Sequence, residues 1–372
     1  MKKSGYISLL ITLLILPLLV VLLSSMLYIS RTQYTLDLTR LSDLTSEGQI
    51  YLEVQTQDVI FASTYWMQDD VIRIVGYATQ DTQPLLITVE MEGVSTRHEQ
   101  LVDVGLEPIN IRISPPFLEG IDLSEGRTAQ LTYSIRHNIT GEVFAADSTT
   151  ISISSIYEMN WVSDELGEAN TFTMLSWLEP SSLAIQELLR FAVDYLELHT
   201  DGKVNMMLGY QEYGIYDDIK ENTWIQAIGI MGALSDMVQL RYVNTVFAEV
   251  GEQRIQTPTR ALEARSGVCA ETVLIVASAL QASGMNVMIV LPPGHAQVAV
   301  ETWPGSGDYF LIETTSLPMG NTRQDWERVV TYKNRTQWRS FLAEVDDVGN
   351  GVLVMNTDHR ARMGIPPLGR VR

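Results

Sequence analysis

Cys269, His295 and Glu313 stand in the order, and among the neighbours, that nucleophilic acyl chemistry requires. A thiol attacks a carbonyl carbon only as the thiolate, so its surroundings must favour the anion. It also needs a base within hydrogen-bond reach, and that base needs a group to orient it. Cys269 is the single cysteine of the chain, so no intramolecular disulfide can form. A lone cysteine is otherwise a small buried hydrophobe. His295 alone reads as a loop residue after Pro292-Pro293-Gly294, and Glu313 alone as strand-edge polarity. Together, in this order, the three favour chemistry.

The elements around them supply the positions. Thr257-Pro258 pairs a capping hydroxyl with a proline at the first helical position, which predicts a short helix over 258–265. Ser266-Gly267 predicts a tight turn. A second helix runs from Cys269 to about 282, with Val273, Val276, Ala277 and Leu280 on one face and Gly284 as its stop. Cys269 then sits at a helix N-terminus, where free N–H groups and the helix dipole favour a thiolate. Strands are expected over Met285–Leu291, Gln297–Thr302 and Tyr309–Thr314. They bring His295 in beside the helix and set Glu313 on the next antiparallel strand. Glu271, in the first turn of the same helix, reads as structural, since a carboxylate there complements the dipole. An oxyanion would draw on the Cys269 N–H, with Gln256 or Gln253 as candidate side-chain donors.

These residues carry a resemblance. Thr257-Pro258, Leu262, Arg265-Ser266-Gly267-Val268-Cys269-Ala270-Glu271, Ala277, Leu280, Gly284, Gly294-His295-Ala296 and Glu313-Thr314-Thr315 look like the core of bacterial and archaeal transglutaminase-like proteins. Gly209-Tyr210-Gln211 and Arg241-Tyr242-Val243 are similar to segments of one branch of that group. The resemblance covers roughly 205–318. It implies a papain-like α+β fold in which Cys269 attacks an acyl carbonyl, His295 holds the thiolate as an ion pair and protonates the leaving amine, and Glu313 fixes the imidazole tautomer. The thioester would pass to water or to an amine. Two positions depart from the family pattern: its acid is more often Asp, and an aromatic often follows the His-Ala pair where Gln297 stands here. The alternative is a module that keeps the fold for binding or assembly without catalysis.

Upstream of about 156 the pattern changes. Ile87, Val89 and Met91, then Ile109, Ile111 and Ile113, then Leu131, Tyr133 and Ile135, and finally Ile151 and Ile153 alternate with polar residues. Each run predicts a strand with one face on a core and one in water. With turn residues at 81–84, 115–116, 119–120 and 138–141, residues 49–155 read as an immunoglobulin-like β-sandwich. His98 and His137 read as surface residues there. Tyr6 to Tyr28 is almost continuously apolar; about 23 residues at about 1.5 Å each reach roughly 34 Å, enough to cross a bilayer. A signal peptide would have a shorter core and a better cleavage site, so an uncleaved anchor is expected over 1–30. Lys2 and Lys3 place its N-terminus in the cytoplasm and the bulk of the chain outside. The expected organisation is therefore an anchor (1–30), a stalk (31–48), the sandwich (49–155), a cysteine domain with a helical N-terminal part (156–330) and an extension of unassigned structure (331–372).

Composition narrows the partners. The net charge of −20, from 45 acidic and 25 basic residues, repels polyanions, so nucleic acid is excluded as an expected partner. One cysteine and scattered histidines give no metal-ligand spacing, and no cofactor motif is present. The expected substrate is a peptide or protein acyl group, the expected membrane contact is the N-terminal helix, and no residue pattern sets an oligomeric state.

Overall fold

The computed structural model describes residues 50–161, 171–211, 218–243, 252–292, 294–346 and 353–368. The predicted anchor and stalk lie outside the described residues. Among those that are described, no helix is long and apolar enough to cross a membrane.

The period-two segments form the strands β1 (Ile50–Thr56), β2 (Val59–Ile60), β3 (Ile72–Ala78), β4 (Gln83–Met91), β5 (His98–Val104), β6 (Ile109–Ile113), β7 (Arg127–His137) and β8 (Val143–Ile153). They make two sheets, ordered β1-β3-β6 and β2-β8-β7-β4-β5. All pairs are antiparallel except the short parallel β2–β8 contact. Ile72 and Ile74 from one sheet and Ile87, Val89, Leu131 and Ile135 from the other bury their side chains in a shared core. Alternation drives this: apolar residues two apart share a face, and two such faces exclude water together.

The helical part follows the strand β9 (Glu158–Asn160) and begins with α1 (Leu183–His199) and α2 (Ile219–Gly232), which a π turn extends to Met237. Ser182 caps α1 by accepting the Ile185 N–H. Gly229 and Gly232 let α2 approach α1 closely, because a Cβ at either would collide with Leu196 or Tyr195. Two short strands follow, β10 (Arg241–Tyr242) and β11 (Glu252–Arg254). Next come α3 (Pro258–Ala264), β12 (Ser266–Gly267) and α4 (Cys269–Ala282). Thr257 caps α3 through its side chain, Pro258 opens it, and Arg265 ends it in the left-handed conformation at φ 51°.

The chain then enters a five-stranded antiparallel sheet ordered β16-β15-β14-β13-β17, made of β13 (Val287–Leu291), β14 (Gln297–Glu301), β15 (Tyr309–Ile312), β16 (Val330–Lys333) and β17 (Leu353–Asn356). Helices α5 (Arg323–Val329), α6 (Arg335–Asp346) and α7 (His359–Arg362) connect and follow these strands. One sheet face, with Ile289, Val298, Val300, Phe310 and Ile312, joins α1, α2 and α4 in the main core. The other face, with Val290, Ala299 and Leu311, is covered by Trp338 of α6. Residues 331–372, set apart in the sequence reading, contribute both edges of this sheet. The whole is a mixed α+β molecule with several sheets.

Strand β11 pairs with β9. Arg254 at its end binds Glu125 of the β-rich region through two contacts of 2.8 and 3.0 Å, and also reaches the Ser124 carbonyl. The segment leading into α3 is thus tied to both halves of the molecule.

Candidate active site

Cys269 is the first residue of α4, and its position is fixed from three sides. Glu271, only 4% exposed, turns its carboxylate back on the helix entrance. Its Oε2 accepts the Val268 N–H at 2.9 Å and its Oε1 the Gln256 N–H at 2.8 Å. Burial pushes this carboxyl up, against the hydrogen bonds from the Gln256 and Val268 backbones and the Gln256 side chain. From the second side, β12 pairs in parallel with β10, so Tyr242 lies opposite Gly267, two residues before the cysteine. From the third, Thr272 Oγ1 donates to the Cys269 carbonyl at 3.0 Å, and it lies 2.9 Å from Thr314 Oγ1, next to Glu313.

The loop between β13 and β14 delivers His295. Gly294 takes φ 70°, a conformation glycine enters without steric cost, and the His295 N–H bonds the Pro292 carbonyl at 3.0 Å. The imidazole Nε2 lies 3.0 Å from Glu313 Oε2. Cys269 is the neighbour that acts most strongly on this ring's pKa, ahead of Glu313. The structure thus pairs His295 directly with Glu313 and sets Cys269 close enough to both to perturb the imidazole.

Glu313 follows the last residue of β15, and its backbone N–H bonds the Val329 carbonyl at 2.9 Å. Both carboxylate oxygens are held. Oε2 takes His295 Nε2 and also Gln297 Nε2, the latter at 2.9 Å. Oε1 accepts the Thr315 backbone N–H at 3.2 Å and the Thr315 hydroxyl.

Electrostatics follow from this wiring. Cys269 first, then the hydrogen bond with Glu313, raise the His295 pKa to about 9 against the opposing effect of burial. Burial pushes Glu313 up, but hydrogen bonds from His295, Thr315 and Gln297 outweigh it and bring the carboxyl down to about 2. Both shifts favour the charged imidazolium–carboxylate pair. Their side chains are only about two-thirds covered, His295 being 31% and Glu313 29% exposed, so the pair remains in contact with solvent. Cys269 is covered more fully, at 6% exposed.

The candidate oxyanion donors sit on the segment from β11 to α3. Gln256 donates its backbone N–H to Glu271, which places it at the α4 entrance. Gln253 Oε1 accepts the Trp161 indole N–H at 3.0 Å. Tyr242, quoted in the sequence reading only for its resemblance, belongs to the site. Burial raises its pKa, with smaller contributions from Cys269 and Glu313, so the phenol lies within electrostatic reach of both. Thr315 and Gln297 also belong to it through Glu313. The signal for Gln297 was the strand period, which puts it on the face that His295 enters two residues earlier. Among the described residues, no group of three or more His, Cys, Asp or Glu is arranged to hold a metal.

No protein-family model matches the chain, and no curated protein matches it. Among solved structures it is similar to a "putative protease" from Parabacteroides distasonis ATCC 8503, at 9% identity over 69% of this chain and 68% of that one, with a TM-score of 0.19. A likeness this distant carries no argument about the site.

Proposed function

We propose that the chain is a transglutaminase-like cysteine enzyme that acts on peptide or protein amide bonds through Cys269, His295 and Glu313, on a papain-like scaffold. The observation that carries this reading is the His295 imidazole bonded to Glu313 at 3.0 Å, with Cys269 at the start of α4 as the neighbour that most perturbs that ring.

In the proposed reaction the Cys269 thiolate attacks the substrate carbonyl carbon, and the C=O electrons move onto oxygen. The Cys269 N–H at the start of α4 and Gln256 are the proposed donors to that oxyanion. As the tetrahedral intermediate collapses, the C–N bond breaks, and the His295 imidazolium gives its proton to the departing amine. A thioester remains. Water or a second amine then attacks it, the neutral imidazole takes the incoming proton, and the thiolate and imidazolium are restored. Glu313 holds the ring in the tautomer that keeps a nitrogen on sulfur.

Residues 49–155 are proposed as an immunoglobulin-like sandwich that carries this domain outside the cell, behind a single membrane anchor over 1–30. Removing residues 1–30 would then release the protein from membranes, and persistent membrane association of the shortened chain would overturn the anchor.

The near-complete cover over Cys269 favours a second reading, a non-catalytic binding or assembly module. Thiol chemistry separates the two. A catalytic Cys269 reacts with iodoacetamide below pH 7 in the folded protein, whereas a structural thiol labels only after unfolding. Cys269→Ala abolishes acyl transfer with the fold retained; wild-type turnover in that variant would sink the proposal.

A further inference from the structure

The Glu313 carboxylate poses a mechanical problem that Gln297 solves. A glutamate carries one more rotatable bond than an aspartate, so its carboxylate sweeps a wider arc and loses more freedom when it is fixed. One hydrogen bond to an imidazole does not hold such a group at a set angle. Here four donors converge on its two oxygens, and only one of them is His295. Thr315 secures Oε1 from the chain just beyond Glu313. Oε2, the oxygen that faces the imidazole, has Gln297 as its second donor.

Strand pairing explains why Gln297 is there. In the antiparallel ladder of β14 with β15, Val298 lies opposite Ile312. The next step of that register sets Gln297 opposite Glu313. Cross-strand neighbours of this kind have side chains in direct reach of one another. His295, in the loop just before β14, donates to the same carboxylate oxygen as Gln297. Histidine, glutamine and glutamate thus form a triangle whose shared vertex is Glu313 Oε2, with both donor distances near hydrogen-bond optimum at 3.0 and 2.9 Å.

We propose that Gln297 is a positioning residue for the acyl-transfer reaction. Its amide N–H pins Glu313 Oε2 so that the carboxylate meets the imidazole at one angle and His295 stays aligned on Cys269. The inference rests on the function proposed above, but its central claim, that Gln297 holds Glu313, has a readout of its own. Gln297 touches neither sulfur nor the acyl group in this scheme and acts only through Glu313.

The test uses the full chain with two variants. Gln297→Met keeps the length of the side chain and removes the donor. Gln297→Glu replaces the donor with an acceptor and adds repulsion. p-Nitrophenyl acetate serves as the acyl donor, because attack by the thiolate releases p-nitrophenolate and leaves an acetyl thioester for water to cleave. The expected result for Gln297→Met is a fall in kcat of about tenfold with KM nearly unchanged, the loss of one hydrogen bond to a charged group. The Glu313 titration, followed by carboxyl NMR, moves upward from about 2 in Gln297→Met and further in Gln297→Glu. A residue that merely filled the start of β14 would leave that titration in place. Wild-type kcat and an unmoved Glu313 titration in folded Gln297→Met would overturn the proposal, and an unmoved titration in Gln297→Glu would do so if the first variant fails to fold. If the wild-type protein neither turns over p-nitrophenyl acetate nor alkylates at Cys269, the enzymatic reading falls instead, and the carboxyl titration still decides whether Gln297 holds Glu313.

Discussion

The β-rich region and the helix–sheet region bury very different things. In the first, the buried polar side chains are hydroxyls only: Ser63, Thr64, Thr88, Ser95, Ser154 and Ser155. Its ion pairs, Arg97 with Glu99 and Arg112 with Asp69, lie at the surface. The second holds the buried carboxylates found among the described residues, Glu271 and Glu301, together with the amides of Asn222 and Gln226. Each is wired. Glu301 takes the Gly307 N–H on Oε1 and Asn286 Nδ2 on Oε2, while Gln226 bridges Leu208, Gly209 and Asn222. Burying such groups costs free energy unless every hydrogen bond is made, so each one commits the chain to a single local arrangement. A sandwich filled by aliphatic side chains is a scaffold that many sequences could build. A core threaded with bonded carboxylates and amides is specified more narrowly: Glu271 organises the entrance of α4, while Glu301 and Gln226 bind Asn286 and Gly209 near its far end.

The largest expected contrast lies in catalysis. His295→Ala removes the proton carrier and lowers acyl-transfer turnover by about 10⁴-fold. The same change at His137, whose Nδ1 only accepts the Ile139 and Thr140 N–H groups of a turn, leaves turnover unchanged. Equal rates for the two variants with p-nitrophenyl acetate would erase the functional distinction between the regions.

Stability gives the next contrast. Glu271→Ala strands two backbone N–H groups, those of Val268 and Gln256, and opens a void at the helix entrance. Loss of about 2–4 kcal/mol is expected in chemical denaturation, since each buried donor left unpaired costs about 1–3 kcal/mol. A loss below about 0.5 kcal/mol would mean that the carboxylate does not organise the α4 entrance.

Much of this was readable before any fold was known, because local rules governed it. The Thr257-Pro258 start, the helix from Cys269 to Ala282 and the strands that flank His295 follow from capping, period and turn chemistry within a dozen residues. The helix start, the flanking strands and the resemblance together nominated Cys269, His295 and Glu313, and the structure bonds His295 to Glu313. The remainder depends on contacts between distant segments. Glu271 reads as a dipole-complementing residue from its own turn; its second partner, the Gln256 N–H, comes from a segment fifteen residues away. Tyr242 carries no strand signal, because a two-residue parallel pairing with Ser266-Gly267 leaves no periodicity to detect. Residues 331–372 show no interpretable pattern because β16 and β17 are short and separated by a helix. Their place is set by sheet partners on β15 and β13.

The pH dependence of stability is a smaller effect with a distinctive shape. His295 has a folded-state pKa raised to about 9, so its contribution to stability is fully present below its unfolded value near 6.5 and disappears as pH rises through 9. Glu313 runs the other way. Its pKa is depressed to about 2, so its contribution is present above its unfolded value near 4.5 and is lost as pH falls through 2. The pair is therefore worth most between about pH 4.5 and 6.5. Denaturation midpoints of the wild type and His295→Gln, measured from pH 4 to 10, should differ most in that window and draw together toward pH 9. A constant difference across the range would show that the imidazolium is not held as described.

The smallest expected effect belongs to the β-rich core and tests its indifference to polar wiring. Thr88 lies on β4, 8% exposed, and its buried hydroxyl makes no hydrogen bond to another described group. Valine has the same branched shape and the same preference for strands, and it brings no oxygen into the core. Replacing an unpaired buried hydroxyl with a methyl group is close to neutral or mildly stabilising. Thr88→Val should therefore shift the unfolding free energy by no more than about 0.5 kcal/mol in the destabilising direction, as read from the denaturant midpoint at constant slope. A loss above about 1.5 kcal/mol would place a bonded hydroxyl inside the sandwich, and the difference drawn between the two cores would then be one of degree.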